Sequence, residues 1–193
     1  MLGHDFTWGT HNVIVLTGAN GSGKSSFMRT LALNQILAQC GFGCFARTAR
    51  VGIVDLIGMR FGTHDSLVGG VSSFEGELHQ ADIICRKATR PSMLFFDEFA
   101  QATEAASGER LCRGLIAWLV RSGCKVVFAT HFAGLGHLPD IEAPRMRGCQ
   151  SEPGIIESSE ALRVCQSVGM PARVIQRARD LLQQQNRKPG CFL

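Results

Sequence analysis

Short apolar runs alternate along this chain with longer segments in which apolar residues recur at helical spacing. The runs that predict buried strands are residues 12–17, 92–98 and 125–131. The segments that predict helices are residues 24–39, 74–88 and 107–123. The apolar stripe expected on the third helix is Leu111, Leu115, Trp118 and Leu119. This alternation predicts an α/β fold with a mainly parallel sheet that helices cover on both faces.

Less regular segments lie between and after these elements. Residues 43–61 mix short apolar runs with glycine and predict two strands or strand-like segments. Residues 62–73 are rich in glycine and serine and predict a loop. Residues 138–154 are rich in proline and glycine, which predicts a linker or an irregular excursion.

The C-terminal part of the chain has a helical pattern of its own. Two short helices are expected at 158–169 and 171–185, with Pro171 at the start of the second. We therefore divide the chain into a main domain, 1–154, and a helical segment with its tail, 155–193.

Composition sets limits on the class of protein. The chain has 193 residues, 45% of them hydrophobic, and a net charge of +4, which is compatible with phosphate contacts but is no polybasic arm. Its eight cysteines include no C-x-x-C pair and no zinc spacing, so we expect reduced, buried thiols in the cytoplasm or nucleus. No signal peptide or membrane span is expected, and no membrane partner.

The stretch GANGSGKS follows the first predicted strand and matches G-x-x-x-x-G-K-[ST], the phosphate-binding loop of nucleotide-binding proteins. In such a loop, main-chain N–H groups surround phosphate oxygens, the lysine contacts the terminal phosphates and the next hydroxyl binds Mg²⁺. Lys24 and Ser25 are expected in these two roles, with ATP as the nucleotide. The residues predicted to bind the nucleotide are Gly18, Ala19, Asn20, Gly21, Ser22, Gly23, Lys24, Ser25 and Ser26.

Two strand ends carry candidate catalytic groups. Asp97 and Glu98 follow four apolar residues, so Asp97 is expected to hold Mg²⁺ and Glu98 to orient and deprotonate the attacking water. The alternative is a strand that ends in two solvated acids. His131, at the tip of the next strand, is expected to hydrogen-bond the terminal phosphate, and its alternative is a structural histidine.

The stretch between the loop and the acids resembles the MutS family. Residues 72–77 have the sequence SSFEGE, close to the S-T-F-x-x-E pattern of that family. The resemblance extends over residues 17–55, the DEFAQAT and THF stretches, and the C-terminal helices at 160–182. It implies a P-loop ATPase of the ABC type, built as a three-layer sandwich, with a small C-terminal helix-turn-helix that packs across a dimer.

The resemblance also implies the partners and the activity. ATP hydrolysis to ADP and phosphate would open and close a homo- or heterodimer, and Ser72 would reach the nucleotide held by the partner subunit. Domains preceding the ATPase module in the family contact DNA, and because this sequence starts close to the loop, we expect a fragment, a degenerate relative or one subunit of a split assembly.

Three functions stay open at this stage. The first is coupling of ATP to DNA mismatch repair or recombination. The second is ATP-dependent reactivation of a cofactor-dependent aminomutase, the role assigned to some small MutS-like proteins. The third is a remnant that only binds nucleotide, because Ala100 and Ala102 replace two glycines of the family pattern and Gln101 replaces an arginine.

Overall fold

The computed structural model describes residues 5–61, 73–147, 150–154, 166 and 170–186. The chain divides into two compact units, Met1–Ile155 and Ile156–Leu193, and each is described by itself.

A six-stranded sheet forms the centre of the first unit. Its strands are β1 (Val13–Gly18), β2 (Ile57–Arg60), β3 (Met93–Asp97), β4 (Lys125–Thr130), β5 (Pro144–Arg147) and β6 (Gln150–Pro153). Their order is β2-β3-β4-β1-β5-β6. Strands β1 to β5 are mutually parallel, and β6 is antiparallel to β5. The predicted α/β class with a mainly parallel sheet is confirmed.

Helices cover both faces of this sheet. They are α1 (Lys24–Gln39), α2 (Ser73–Lys87) and α3 (Ala105–Ser122), and a short 3-10 helix, Ala133–His137, follows β4. On one face, Phe27 and Met28 of α1 pack against Phe95 and Val127 of the sheet. On the other face, α2 and α3 pack against the alternate strand residues. Burying each large side chain in these layers contributes roughly 1.5–3 kcal/mol to folding.

Helix α3 is rotated relative to the predicted stripe. Leu119 is buried as predicted and Leu115 packs against the core, but Leu111 and Trp118 are 37% and 40% exposed. Cys112 and Ile116 are buried in their place. Gly108 explains the rotation, because a Cβ atom there would lie 2.5 Å from the carbonyl oxygen of Ala100. The missing side chain lets α3 approach the loop that follows β3.

Two predictions for the irregular segments are wrong. Residues 43–61 contain one strand, β2, rather than two, and residues 138–154 contain β5 and β6 rather than only a linker. The first part of 43–61 is held by side chains of α1 instead of by a sheet: Gln35 Nε2 donates to the Gly52 carbonyl (2.7 Å), and Gln39 Oε1 accepts from the Val54 N–H (2.6 Å).

The cysteines fit the prediction only in part. Cys112 and Cys124 are buried, but Cys40 is exposed. Burial raises the pKa of the Cys112 thiol to about 12, which leaves it protonated and unreactive. Within the described ranges, no helix combines the length and apolar character that crossing a membrane requires.

In the second unit, helix α4 (Ala172–Asn186) lies where the second C-terminal helix was expected. The carbonyl of Pro171 accepts hydrogen bonds from the N–H groups of Val174 and Ile175, which starts the helix. The helix predicted at 158–169 lies outside the described residues apart from Gln166.

Candidate functional site

One edge of the sheet collects the predicted chemical groups. Strands β3, β4 and β1 are adjacent and parallel, so their carboxyl ends meet at the same edge. The loop 18–25 follows β1, Asp97 ends β3 with Glu98 directly after it, and His131 follows β4. Ligands of open α/β sheets bind at this edge, where connections leave the strands.

The loop after β1 has the backbone shape that its glycines permit. Gly23, directly before α1, has φ 97°, a left-handed conformation that other residues avoid. At Gly18, a Cβ atom would lie 2.6 Å from Ser22 Oγ and 3.0 Å from the Met146 carbonyl oxygen. The loop therefore closes tightly over the end of β1 and leads into the N-terminus of α1, where main-chain N–H groups and the helix dipole favour an anion.

Lys24 places its ammonium inside this loop. Lys24 Nζ donates to the carbonyls of Gly18 (2.6 Å) and Ala19 (3.0 Å), and it lies 3.8 Å from Glu98 Oε1. The residue is only 4% exposed. Burial lowers the pKa of Lys24, while the charges of Glu98 and Asp97 oppose that shift. A positive charge is thus held between the loop and the acid pair.

Ser25 and Asp97 form a hydroxyl–carboxylate pair beside the ammonium. Ser25 Oγ donates to Asp97 Oδ2 at 2.5 Å. The second carboxylate oxygen, Asp97 Oδ1, is buried and has no hydrogen-bond partner among the described residues. A hydroxyl and one carboxylate with a spare oxygen are donors of the kind Mg²⁺ takes from a protein when phosphates and water complete its shell. No cluster of three or more histidine, cysteine or acidic side chains suited to a metal occurs in the described part of the chain.

The burial of Asp97 leads to a prediction about the stability of the protein. Loss of hydration raises the pKa of this carboxyl, an effect that exceeds the opposing hydrogen bond from Ser25. A raised folded-state pKa means that the contribution of protonated Asp97 is fully present below the ordinary value of 3.8 and is lost as pH rises through the folded-state value. Without nucleotide or Mg²⁺, Asp97→Asn should therefore raise the free energy of unfolding at pH 7 by about 0.5–2 kcal/mol, and the Tm should rise with it.

Thermal unfolding in EDTA from pH 4 to 8 measures this effect. The difference in Tm between Asp97→Asn and the wild type should narrow as the pH is lowered. Asp5→Asn, at an exposed position, is the matched control and should leave Tm unchanged. A Tm for Asp97→Asn below that of the wild type at pH 7 would contradict the argument.

Glu98 and His131 lie on the open side of the ammonium. The Glu98 side chain is 25% exposed, and its main-chain N–H donates to the Ala129 carbonyl at 2.9 Å. His131 Nδ1 and Gln101 Nε2 are 3.0 Å apart, and the ring is in contact with Phe132. Partial loss of hydration lowers the pKa of His131, which favours the neutral ring. An acid with access to water and an imidazole whose neutral form is favoured thus both lie near the loop lysine.

The predicted site residues are placed as follows. Lys24, Ser25, Asp97 and Glu98 are brought together, and His131 stands close enough for Glu98 and Lys24 to influence its pKa. Within the loop, Ala19 and Ser22 are joined by a main-chain hydrogen bond, while Asn20, Gly21 and Ser26 are exposed. Ser72 lies outside the described residues. The roles assigned to all of these residues remain predictions.

Two residues at this edge were not predicted as part of the site. Arg60, at the end of β2, and Glu77, in α2, form a buried ion pair next to Asp97. Arg60 is the only charged residue in the apolar run 56–61, and a lone charge in a buried strand is the signal that could have singled it out.

Comparison with known proteins agrees with the resemblance that the motifs indicate. The family model described as MutS domain V matches residues 14–186. The DNA mismatch repair protein MutS of Thermotoga petrophila is 32% identical over 184 residues, covering 88% of this chain and 23% of that protein. The protein of the same name from Thermus thermophilus is 31% identical over 187 residues, covering 89% of this chain and 23% of its own length.

A third relative gives the same picture. The DNA mismatch repair protein MutS of Lactococcus lactis subsp. cremoris is 32% identical over 193 residues, which covers 92% of this chain and 23% of that protein. The chain therefore spans less than a quarter of the length of these relatives.

Proposed function

The chain belongs to the MutS family through domain V, and from this premise we propose that it is the ATP-binding and ATP-hydrolysing module of a MutS-like protein that acts in DNA mismatch repair. The observation that supports the proposal best is one set of contacts: the Lys24 ammonium lies within the loop, 3.8 Å from Glu98, and Ser25 is bonded to Asp97. A phosphate-binding charge, a Mg²⁺ ligand pair and an acid open to water thus share one sheet edge.

In the proposed mechanism, the residues of this chain act mainly through their positions. The loop N–H groups and Lys24 bind the β- and γ-phosphates. Ser25 and Asp97 would hold Mg²⁺, which neutralises charge on the phosphates when bound. Glu98 accepts a proton from the attacking water and orients it. His131 donates a hydrogen bond to the terminal phosphate. This corresponds to a P-loop ATPase of the ABC type.

Titration calorimetry with MgATP and a steady-state assay of phosphate release test the proposal directly. We expect binding with one nucleotide per chain and slow turnover that depends on Mg²⁺. Absence of heat with MgATP, together with absence of phosphate release, would refute it. The relatives described above are mismatch repair proteins, which supports repair over reactivation of an aminomutase.

The proposal includes a dimer with composite sites. Ser72, which precedes α2 in the sequence, would contact the nucleotide bound by the partner subunit, and contact with DNA would come from other parts of a longer protein. The C-terminal segment, with α4, would pack across the dimer as a helix-turn-helix. Each site then needs Lys24 from one subunit and Ser72 from the other.

Mixing two inactive variants tests the composite site. Lys24→Ala and Ser72→Ala should each lower turnover strongly when assayed alone. An equimolar mixture should recover about a quarter of the wild-type rate, because half of randomly paired dimers are mixed and each mixed dimer carries one complete site. Phosphate release after co-refolding of the two variants measures this. A mixture no more active than its components would refute the contribution of Ser72 in trans.

A further inference from the structure

A buried ion pair lies beneath the acid-bearing edge of the sheet. Arg60 and Glu77 are 6% and 5% exposed, and Arg60 Nη2 contacts Glu77 Oε1. Burial lowers the pKa of Arg60 and raises that of Glu77, and the opposite charge of each partner counteracts the shift. A charge pair replaced by apolar residues of similar size often leaves a protein equally stable, so stability alone does not account for it.

Both members of the pair also bond to the main chain around Glu98. Arg60 Nη1 donates to the Asp97 carbonyl at 3.0 Å, and the Ala100 N–H donates to Glu77 Oε2 at 3.2 Å. The bonded carbonyl, of Asp97, precedes Glu98 in the sequence, and the bonded N–H, of Ala100, follows it. The pair therefore holds the main chain on both sides of Glu98.

The main chain from Glu98 to Ala100 has an unfavourable conformation that neighbouring groups must stabilise. Glu98 has φ 52° and Ala100 has φ 62°, both in the left-handed region, which costs a residue with a side chain roughly 1–2 kcal/mol. Such conformations persist where the surrounding structure enforces them. The bonds from Arg60 and Glu77, with the bond from the Glu98 N–H to Ala129, supply that constraint.

We propose that Arg60 and Glu77 are positioning residues that fix the main chain on either side of Glu98, so that its carboxylate is directed at the attacking water. The inference rests on the proposed function, in which Glu98 activates water. Glu77 lies on α2, the helix that follows Ser72, so the same pair ties the position of Glu98 to the segment expected to contact the partner subunit.

The test is the double variant Arg60→Met/Glu77→Leu, which removes both charges and both main-chain bonds without leaving one buried charge unpaired. We expect kcat to fall between tenfold and 100-fold, since a displacement of about 1 Å at a reacting group costs that much. KM for MgATP should change less than threefold, because Lys24 and the loop are untouched. Circular dichroism and Tm verify folding. Glu77→Gln is the second variant: its amide oxygen still accepts from the Ala100 N–H, while its NH2 group replaces the oxygen that contacts Arg60, so only one of the two contacts of Glu77 is kept.

The matched control is Asp82→Asn/Arg86→Met, which removes an exposed ion pair on the same helix. It should change kcat and KM less than twofold. A double variant Arg60→Met/Glu77→Leu with unchanged kcat would overturn the inference, and so would a fall in kcat matched by an equal rise in KM. Partial retention of kcat in Glu77→Gln supports it.

Hydrogen exchange separates this inference from the proposed function. Removing the pair should speed exchange of the Ala100 amide and its neighbours, with no change in the loop 18–25. If the wild type releases no phosphate, the proposed function fails, and exchange alone decides the inference: faster exchange at Ala100 supports the positioning contact, and unchanged exchange overturns it.

Discussion

Replacing Lys24 with alanine is expected to raise the Kd for MgATP by on the order of 100-fold or more, because a charged hydrogen bond contributes about 1.5–3 kcal/mol and this ammonium would contact two phosphates. The side chain is 4% exposed, and its ammonium is held by the Gly18 and Ala19 carbonyls. A lysine on the surface could not replace the charge at this buried position. Titration calorimetry on the wild type and the variant measures the change.

Lys87→Ala is the control for this measurement. Lys87 ends α2 at an exposed position, so its loss removes the same charge from the chain without touching the loop. Its Kd should equal that of the wild type. A Lys24→Ala variant that is folded and binds MgATP within threefold of the wild type would refute the phosphate-binding role.

Replacing Glu98 with glutamine should lower the rate of ATP hydrolysis by about 10²–10⁴-fold, the usual contribution of a general base. Glutamine has the same size and cannot accept the proton of the attacking water. Binding of MgATP should change less than threefold, because the loop, Lys24 and the Ser25–Asp97 pair stay in place. Single-turnover hydrolysis measures the chemical step, and calorimetry measures binding.

Glu104→Gln, at an exposed acid directly before α3, is the matched control and should hydrolyse ATP at the wild-type rate. The comparison also resolves an alternative left open by the sequence. A wild type that binds MgATP but turns over no faster than Glu98→Gln is a binding-only remnant. A Glu98→Gln variant that keeps the full rate would place the base elsewhere.

The parts of the fold that the sequence predicted well are those fixed by local patterns. Helix α1 has the predicted bounds, and β1, β3 and β4 lie within one or two residues of their predicted positions. In each case a continuous apolar run or a helical stripe coincides with an element that the core buries.

The parts that were missed depend on distant contacts. β5 pairs with β1, which lies far earlier in the chain, and its buried Met146 stands in the sequence between two arginines, so no local pattern reveals the strand. The prediction of a strand within residues 44–54 was wrong for the opposite reason. Their apolar side chains indicated a strand, but Phe45 and Ile53 are 74% and 87% exposed. Bonds to polar residues of α1 determine that segment, and no sequence periodicity reflects them.

The candidate site shows the same division. The loop and the acid pair are local motifs, and the sheet brings together the groups they contain. Arg60 and Glu77 meet through the adjacency of β2 and β3 and the packing of α2, which the sequence does not specify. The left-handed conformation of Ala100, where the family pattern has glycine, was also not predicted from the sequence.

The carbonyl oxygens that hold the Lys24 ammonium have a thermodynamic consequence. Two of the three ammonium hydrogens are donated to carbonyls, at 2.6 and 3.0 Å, so contact with two phosphates must displace at least one of these bonds. The enthalpy of capture is therefore partly a difference between old and new bonds. Oxygens that carry more negative charge than a carbonyl form stronger bonds to the ammonium than the bonds they replace, whereas neutral ligands do not. Selection at the loop therefore begins with charge density, before shape or base identity contributes.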